Sequence, residues 1–328
     1  MLMERQESSE NPSSGIVQRK EAEPIVIDSR HDIISVAFAA DGKHVLSGGI
    51  EGKIRRWRIE DGSEVGTAMD AGSAVANFAV SREGQVIVSG TSSGLVTVWN
   101  TESHSKAVEF QAHGGWVRAV DVSPDATKIA TGSSDCTACV WSLSTGEKLL
   151  GPLEHGSGVA TTKFSPDGRL IATATRNHDS VRVYDSQNGS LLVEFPVNVY
   201  SESNQSLAWA SNSKQLFALS RDGNMYRVDV SAKTTLSKWQ IHSSQNAESI
   251  ALASDGTFIA TSAGSSVSFW DTTTQEQIGV VIEYTHVIWS MAMSSNYDLV
   301  TSGNKKITLR PLYGTLASHY LGNVSVLA

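Results

Sequence analysis

Along this chain apolar positions recur at every second residue in short runs, and turns rich in Gly, Asp, Asn and Ser separate the runs. Alternation of that kind sends successive side chains to opposite faces of an extended strand. In VRAVDVSPDATKIATGSSDCTACVW, residues 117–141, three such runs follow one another. The pattern predicts three antiparallel strands joined by tight hairpins. In the corresponding stretch near the start, Val36, Phe38, Val45 and Leu46 are the positions expected to be buried. No segment sustains an apolar period of about 3.6 residues, so helices are not expected.

The same phrase occurs seven times, ending at Trp57, Trp99, Trp141, Tyr184, Val228, Trp270 and Arg310, at spacings of 42, 42, 43, 44, 42 and 40 residues. A unit of roughly 40–45 residues with this strand content is the length of one four-stranded propeller blade. A lone blade exposes two apolar faces; stacking blades radially buries both and leaves only short edges. The predicted fold is all-β, a seven-bladed β-propeller of four-stranded antiparallel blades over residues 24–328. A mixed-charge, Ser-rich stretch, residues 1–23, precedes it and is expected to be a flexible tail. Two segments compete to supply the outermost strand of the last blade. PIVID, residues 24–28, stands ahead of blade one much as AVEFQ stands ahead of His113, and is the favoured closure. Residues 315–320 are the alternative, and the terminal NVSVLA resembles the start of a further repeat.

Over residues 24–316 the seven copies resemble WD40 repeats. The resemblance implies a His near the inner corner of each blade, an Asp in the turn between second and third strands, and a Trp on the third strand, linked as a buried hydrogen-bond chain. Blade three carries all three as His113, Asp135 and Trp141. Other blades depart from the pattern. Blade one has His31 and Trp57 but Glu51; blade two has Trp99 with Ser93; blade five has Asp222 with Val228; blade seven has Asn304 and Arg310.

The resemblance also implies that partners dock on the narrower face, at two positions beside the start of each innermost strand and one before the turn Asp. Carried over by register, these are Trp116, Arg118 and Ser134 in blade three, and Asp32, Ile34 and Ile50 in blade one. Blade seven contributes Val287, Trp289 and Gly303, blade five Arg221 and blade six Glu248. Trp and Arg are the residue types that dominate binding hot spots. Ring closure would bring Trp289 near Ile34 and Ile50, and an exposed apolar patch of that kind marks an interface. A shorter stretch, TGEKLLGPLEHG at residues 145–156, is similar to the WD40 tails of fungal NACHT-type NTPases. It implies an alternative function, a sensor or effector-binding module of a larger signalling protein.

Composition narrows the partners. Hydrophobic residues make up 40% of the 328 and charged ones 18%, enough apolar surface to exclude disorder for most of the chain. The net charge is −8, and the densest basic group is Arg55, Arg56 and Arg58. Nucleic acid, which requires clustered cations, is therefore not the expected partner. No run reaches the ~18–20 apolar residues of a membrane helix, and the N-terminus lacks the apolar core of a secretion signal. Two cysteines make no disulfide framework, so the expected location is cytoplasmic or nuclear.

Candidate chemistry is sparse. Cys136 and Cys139 form a CxxC pattern, but three positions apart on a strand they point to opposite faces, and no second pair completes a metal site. His31, His113 and His155 recur near blade starts, which repeat architecture explains. His113 and Asp135 with a nearby Ser would make a hydrolase triad, yet no Gly-x-Ser-x-Gly elbow is present. Phosphate-binding and dinucleotide-binding glycine motifs are missing too. The expected function is a non-enzymatic scaffold binding proteins or peptides on the rim of the ring, with no cofactor, metal or small-molecule substrate. An enzyme would need converging titratable groups at the channel mouth. The rim offers Asp32, Glu248, Arg118 and Arg221, spread over four blades.

Overall fold

Residues 117–154 fold as the alternation predicts. The computed structural model describes residues 23–312, apart from 177–179, 198, 200–204, 221, 243–246 and 297 and the side chains of 247 and 248. In it Val117–Val122, Lys128–Ser133, Thr137–Ser142 and Lys148–Glu154 form one antiparallel sheet in that spatial order. Ser123 shapes the first hairpin. Its hydroxyl accepts the Lys128 N–H at 2.9 Å and donates to Asp125 at 2.6 Å, a local turn chemistry that Ser and Asp favour.

Burial grades outward along the blade. The second strand, KIATGS, is buried from Ile129 to Ser133 on both faces, not on one, because neighbouring blades cover both sides. The outer strand, KLLGPLE, keeps only Leu150 and Leu153 half-buried. Small residues on the second strand make room for the next blade. A Cβ on Gly132 would meet Val159 Cγ1 at 2.6 Å, and one on Gly90 would meet Val117 Cγ1 at 2.5 Å. The core is accordingly a set of layers between blades; one such layer joins Val88, Val96 and Val98 of blade two to Val117, Val120, Ile129 and Trp141 of blade three.

Among the described residues the pattern makes seven four-stranded sheets and no helix. Each innermost strand packs on the next, and the seventh packs on the first, which closes the ring. Six sheets use four consecutive strands; the seventh borrows one from the far end of the chain. Its order is Ile25–Asp28, Lys306–Pro311, Asp298–Gly303, Ser290–Met293, with Ile25 opposite Leu309 and Ile27 opposite Ile307. Ile27 is buried in a cluster with Ile33, Val36, Trp57 and Leu309. The N-terminal strand is thus the closure; residues 315–320 and the terminal NVSVLA lie outside the described residues, as does the expected tail up to residue 22.

The channel-facing edge of an innermost strand would leave N–H groups unpaired. Side-chain oxygens from other blades accept them. Val36 N donates to Ser290 Oγ at 3.2 Å, Val120 N to Asn77 Oδ1 at 3.0 Å, Phe164 N to Asp121 Oδ2 at 2.8 Å and Met291 N to Gln205 Oε1 at 2.9 Å. The first three join neighbouring blades, and Gln205, ahead of blade five, reaches past blade six to blade seven.

Candidate functional site

The rim is built on β-bulges. In blade three Val117 pairs with Ser133 and Ala119 with Gly132, so Arg118 is the extra residue of a bulge. The same shift makes Ile34 the extra residue in blade one and Glu248 in blade six. A bulge re-aims the side chain of its extra residue and is a common device beside binding sites. Three of the rim positions expected from the sequence therefore share one backbone device. In VRAVDV its one trace is a slip of phase between the adjacent apolar residues Ala119 and Val120.

Blade three gathers its three rim residues into one unit. Ser134 N donates to the Trp116 carbonyl at 2.9 Å, and Arg118 Nε donates to Ser134 Oγ at 2.7 Å. The Arg118 guanidinium lies 5.2 Å from the Trp116 ring centroid, a cation–π contact. Trp116 nonetheless remains 45% exposed, a large rigid surface held ready in one place.

The other rim positions are less closely joined. Ile50 is 55% exposed and Val287 is exposed too, whereas Ile34 and Trp289 are half-buried. The innermost strands of blades seven and one pack side by side; Ile34 lies on the second, and Trp289 immediately precedes the first. Arg221 lies outside the described residues. Of Glu248 only the backbone, on strand Ala247–Leu252, is described.

The hydrogen-bond chain of blade three has a fourth member, Thr131, beyond the three expected from the sequence. His113 Nδ1 is 3.0 Å from Asp135 Oδ2, and His113 Nε2 is 2.7 Å from Thr131 Oγ1. Trp141 Nε1 donates to the same Thr131 oxygen at 2.8 Å. Asp, His and a hydroxyl in a row are the parts of a nucleophilic triad. Here Thr131 is fully buried and its oxygen already accepts from Trp141, so no substrate atom can approach it. The row ties the second and third strands of the blade, through Thr131 and Trp141, to the loop that enters the innermost one, through His113.

Other blades keep parts of this chain. Trp57 Nε1 donates to Ser47 Oγ at 2.8 Å, Trp99 Nε1 to Ser89 Oγ at 2.9 Å and Trp270 Nε1 to Thr261 Oγ1 at 3.1 Å. His155 Nε2 lies 2.9 Å from Thr173 Oγ1 and His242 Nε2 3.0 Å from Thr261 Oγ1; His242 was not among the repeated histidines expected from the sequence. His31 is not a member. Ser29 occupies the equivalent buried position, its hydroxyl bonded to the Lys305 carbonyl at 3.0 Å, while His31 is exposed, 3.3 Å from Glu51. In blade seven Arg310 stands where Trp141 does, and its Nε is buried without a hydrogen-bond partner.

These histidines are held neutral by burial. Desolvation lowers His113 despite the opposing charge of Asp135, and it brings His155 and His242 to about 4. Their folded pKa thus lies below the unfolded value of about 6.5. The stability they contribute is complete above about pH 6.5 and is lost as pH falls toward 4, where the unfolded chain binds protons that the folded one refuses. The melting temperature should therefore drop between pH 6.5 and 4.5, His155 accounting for about 2–3 kcal/mol of it. A His155→Phe, His242→Phe variant should show a flatter profile by differential scanning fluorimetry; an equal slope would show that other groups govern the loss.

Cys136 and Cys139 are both free thiols, and burial pushes the Cys139 thiol up. Among the described residues no group of three or more His, Cys, Asp or Glu side chains is placed to share a metal ion, and no helix is long and apolar enough to cross a membrane.

A family model described as WD domain, G-beta repeat matches residues 23–58, 105–142 and 147–185. Each matched segment begins with the outer strand of one blade and runs through three strands of the next, so the sequence repeat straddles two blades. No match was found among curated proteins.

Proposed function

Because the chain belongs to the WD40-repeat family, whose propellers generally serve as protein-interaction scaffolds, we propose that it is a non-enzymatic scaffold holding a protein or peptide partner on the Trp116 rim. The observation that carries this reading is the Trp116–Arg118–Ser134 unit, an exposed ring and a guanidinium fixed by a bulge, a backbone bond and a side-chain bond. Such a surface loses little ordering entropy when a partner settles on it. The exposed Ile50 and Val287, at blades one and seven, offer further apolar area. The sealed Asp135–His113–Thr131 row supports a scaffold over a hydrolase, and two unpaired thiols accord with a reducing compartment, cytosol or nucleus.

The test is capture by the tagged chain from cell extract, read by mass spectrometry, with wild type beside Trp116→Ala, Arg118→Ala. The double variant should lose the main partner while its stability changes by about 1 kcal/mol or less, the size of one exposed cation–π contact. Undiminished capture would remove the rim from the account.

A further inference from the structure

The face opposite the rim carries a cavity of about 660 Å³ at the mouth of the channel, formed by the turns that follow the innermost strands of blades two through six. Its volume lies in the range of ligand pockets, roughly 300–1,000 Å³. Val80, Val122, Pro124, Pro166, Trp209 and Leu252 give it apolar walls. Leu252 also lines a second cavity of about 280 Å³, together with Ile250, Met291 and Met293. Two charges of opposite sign complete the mouth, Arg82 on blade two and Asp167 on blade four.

The walls are held rigidly. Trp209 Nε1 donates to the Lys163 carbonyl at 3.1 Å, and Asp167 N donates to Ser213 Oγ of the next blade at 3.0 Å. The Asp167 carboxylate accepts the Ser165 hydroxyl at 2.6 Å and the Arg169 N–H at 3.1 Å. These bonds outweigh burial and keep its carboxyl below the usual range, hence charged.

We propose that this mouth is a second docking site, for a peptide segment whose apolar side chain enters between the walls while an acidic neighbour faces Arg82 and a basic neighbour faces Asp167. Aliphatic and proline walls favour an apolar guest, since its burial removes surface from water. One cation and one anion, set on different blades, favour a guest that carries both signs; an all-acidic or all-basic segment meets a like charge at one end. The mouth shares no residue with the Trp116 rim, so the two faces can be occupied together.

Random peptides of about twelve residues, long enough to cross the mouth when extended, are displayed on phage and selected on the purified full chain. Synthetic copies are then measured by fluorescence anisotropy. Selected peptides should carry an apolar residue between an acid and a base. Arg82→Glu should weaken them about three- to tenfold, the size of one exposed ion pair replaced by a like-charge repulsion, and a peptide with its acid changed to Lys should bind that variant better than the parent does. Asp167→Asn, which keeps the turn's acceptor, should weaken them too, whereas Trp116→Ala, Arg118→Ala should leave them unchanged. No selected peptide, or peptides indifferent to Arg82→Glu and Asp167→Asn, would overturn the proposal. Peptides sensitive only to the rim variant would overturn it while supporting the rim.

Discussion

Thr131→Val should cost the fold about 2–4 kcal/mol although the two side chains have nearly the same shape. Valine leaves His113 Nε2 and Trp141 Nε1, which both meet the Thr131 oxygen, buried without partners. Each orphaned group carries a desolvation penalty of about 1–3 kcal/mol, and relaxation recovers part of it. Thr131→Ser, which keeps the hydroxyl and removes only a methyl, should cost about 1 kcal/mol. Urea midpoints of the two variants separate the hydroxyl from the packing. Equal midpoints for Thr131→Val and wild type would mean that the row is not a structural unit.

A chain begun at Ser29 should fare worse. It lacks Ile25–Asp28 and with it the outer strand of blade seven. Burial of Ile27 alone is worth about 1.5–3 kcal/mol, and its loss also uncovers Ile307 and Leu309 and opens a strand edge. The combined cost should be about 5 kcal/mol or more, a large part of the stability of a domain. The truncated chain should melt far below the parent and elute as larger species on size exclusion. A monomer melting at the parent's temperature would show that blade seven is closed by some other segment.

The blades were legible in the sequence because a period of two residues nested in one of 40–44 leaves few alternatives. Further members of the hydrogen-bond chain leave a trace in the spacing as well. Ser47, Ser89 and Thr131 each stand ten residues before the aromatic that donates to them. His242 precedes Trp270 by the same 28 residues that separate His113 from Trp141; His31 precedes Trp57 by 26 and falls out of register. The bulges at Ile34, Arg118 and Glu248 were not read, because the slip of phase that an added residue causes falls within strands whose two faces are both largely apolar. Nor were the cross-blade bonds of Asn77 and Asp121, whose partners lie 43 residues away on a neighbouring sheet.

Pairing the first strand of the propeller with the last has a consequence during synthesis. Ile25–Asp28 leaves the ribosome before any of the seven blades exists, and the strand it must meet, Lys306–Pro311, emerges only after the other six. Across that interval of some hundreds of residues the early strand has no native mate, and its apolar side chains are open to misassembly. Non-local pairing of this kind is slow to form. The closed ring therefore forms only once Lys306–Pro311 has emerged, and until then six sheets wait on a clasp whose two halves are the first and the last strands of the described propeller.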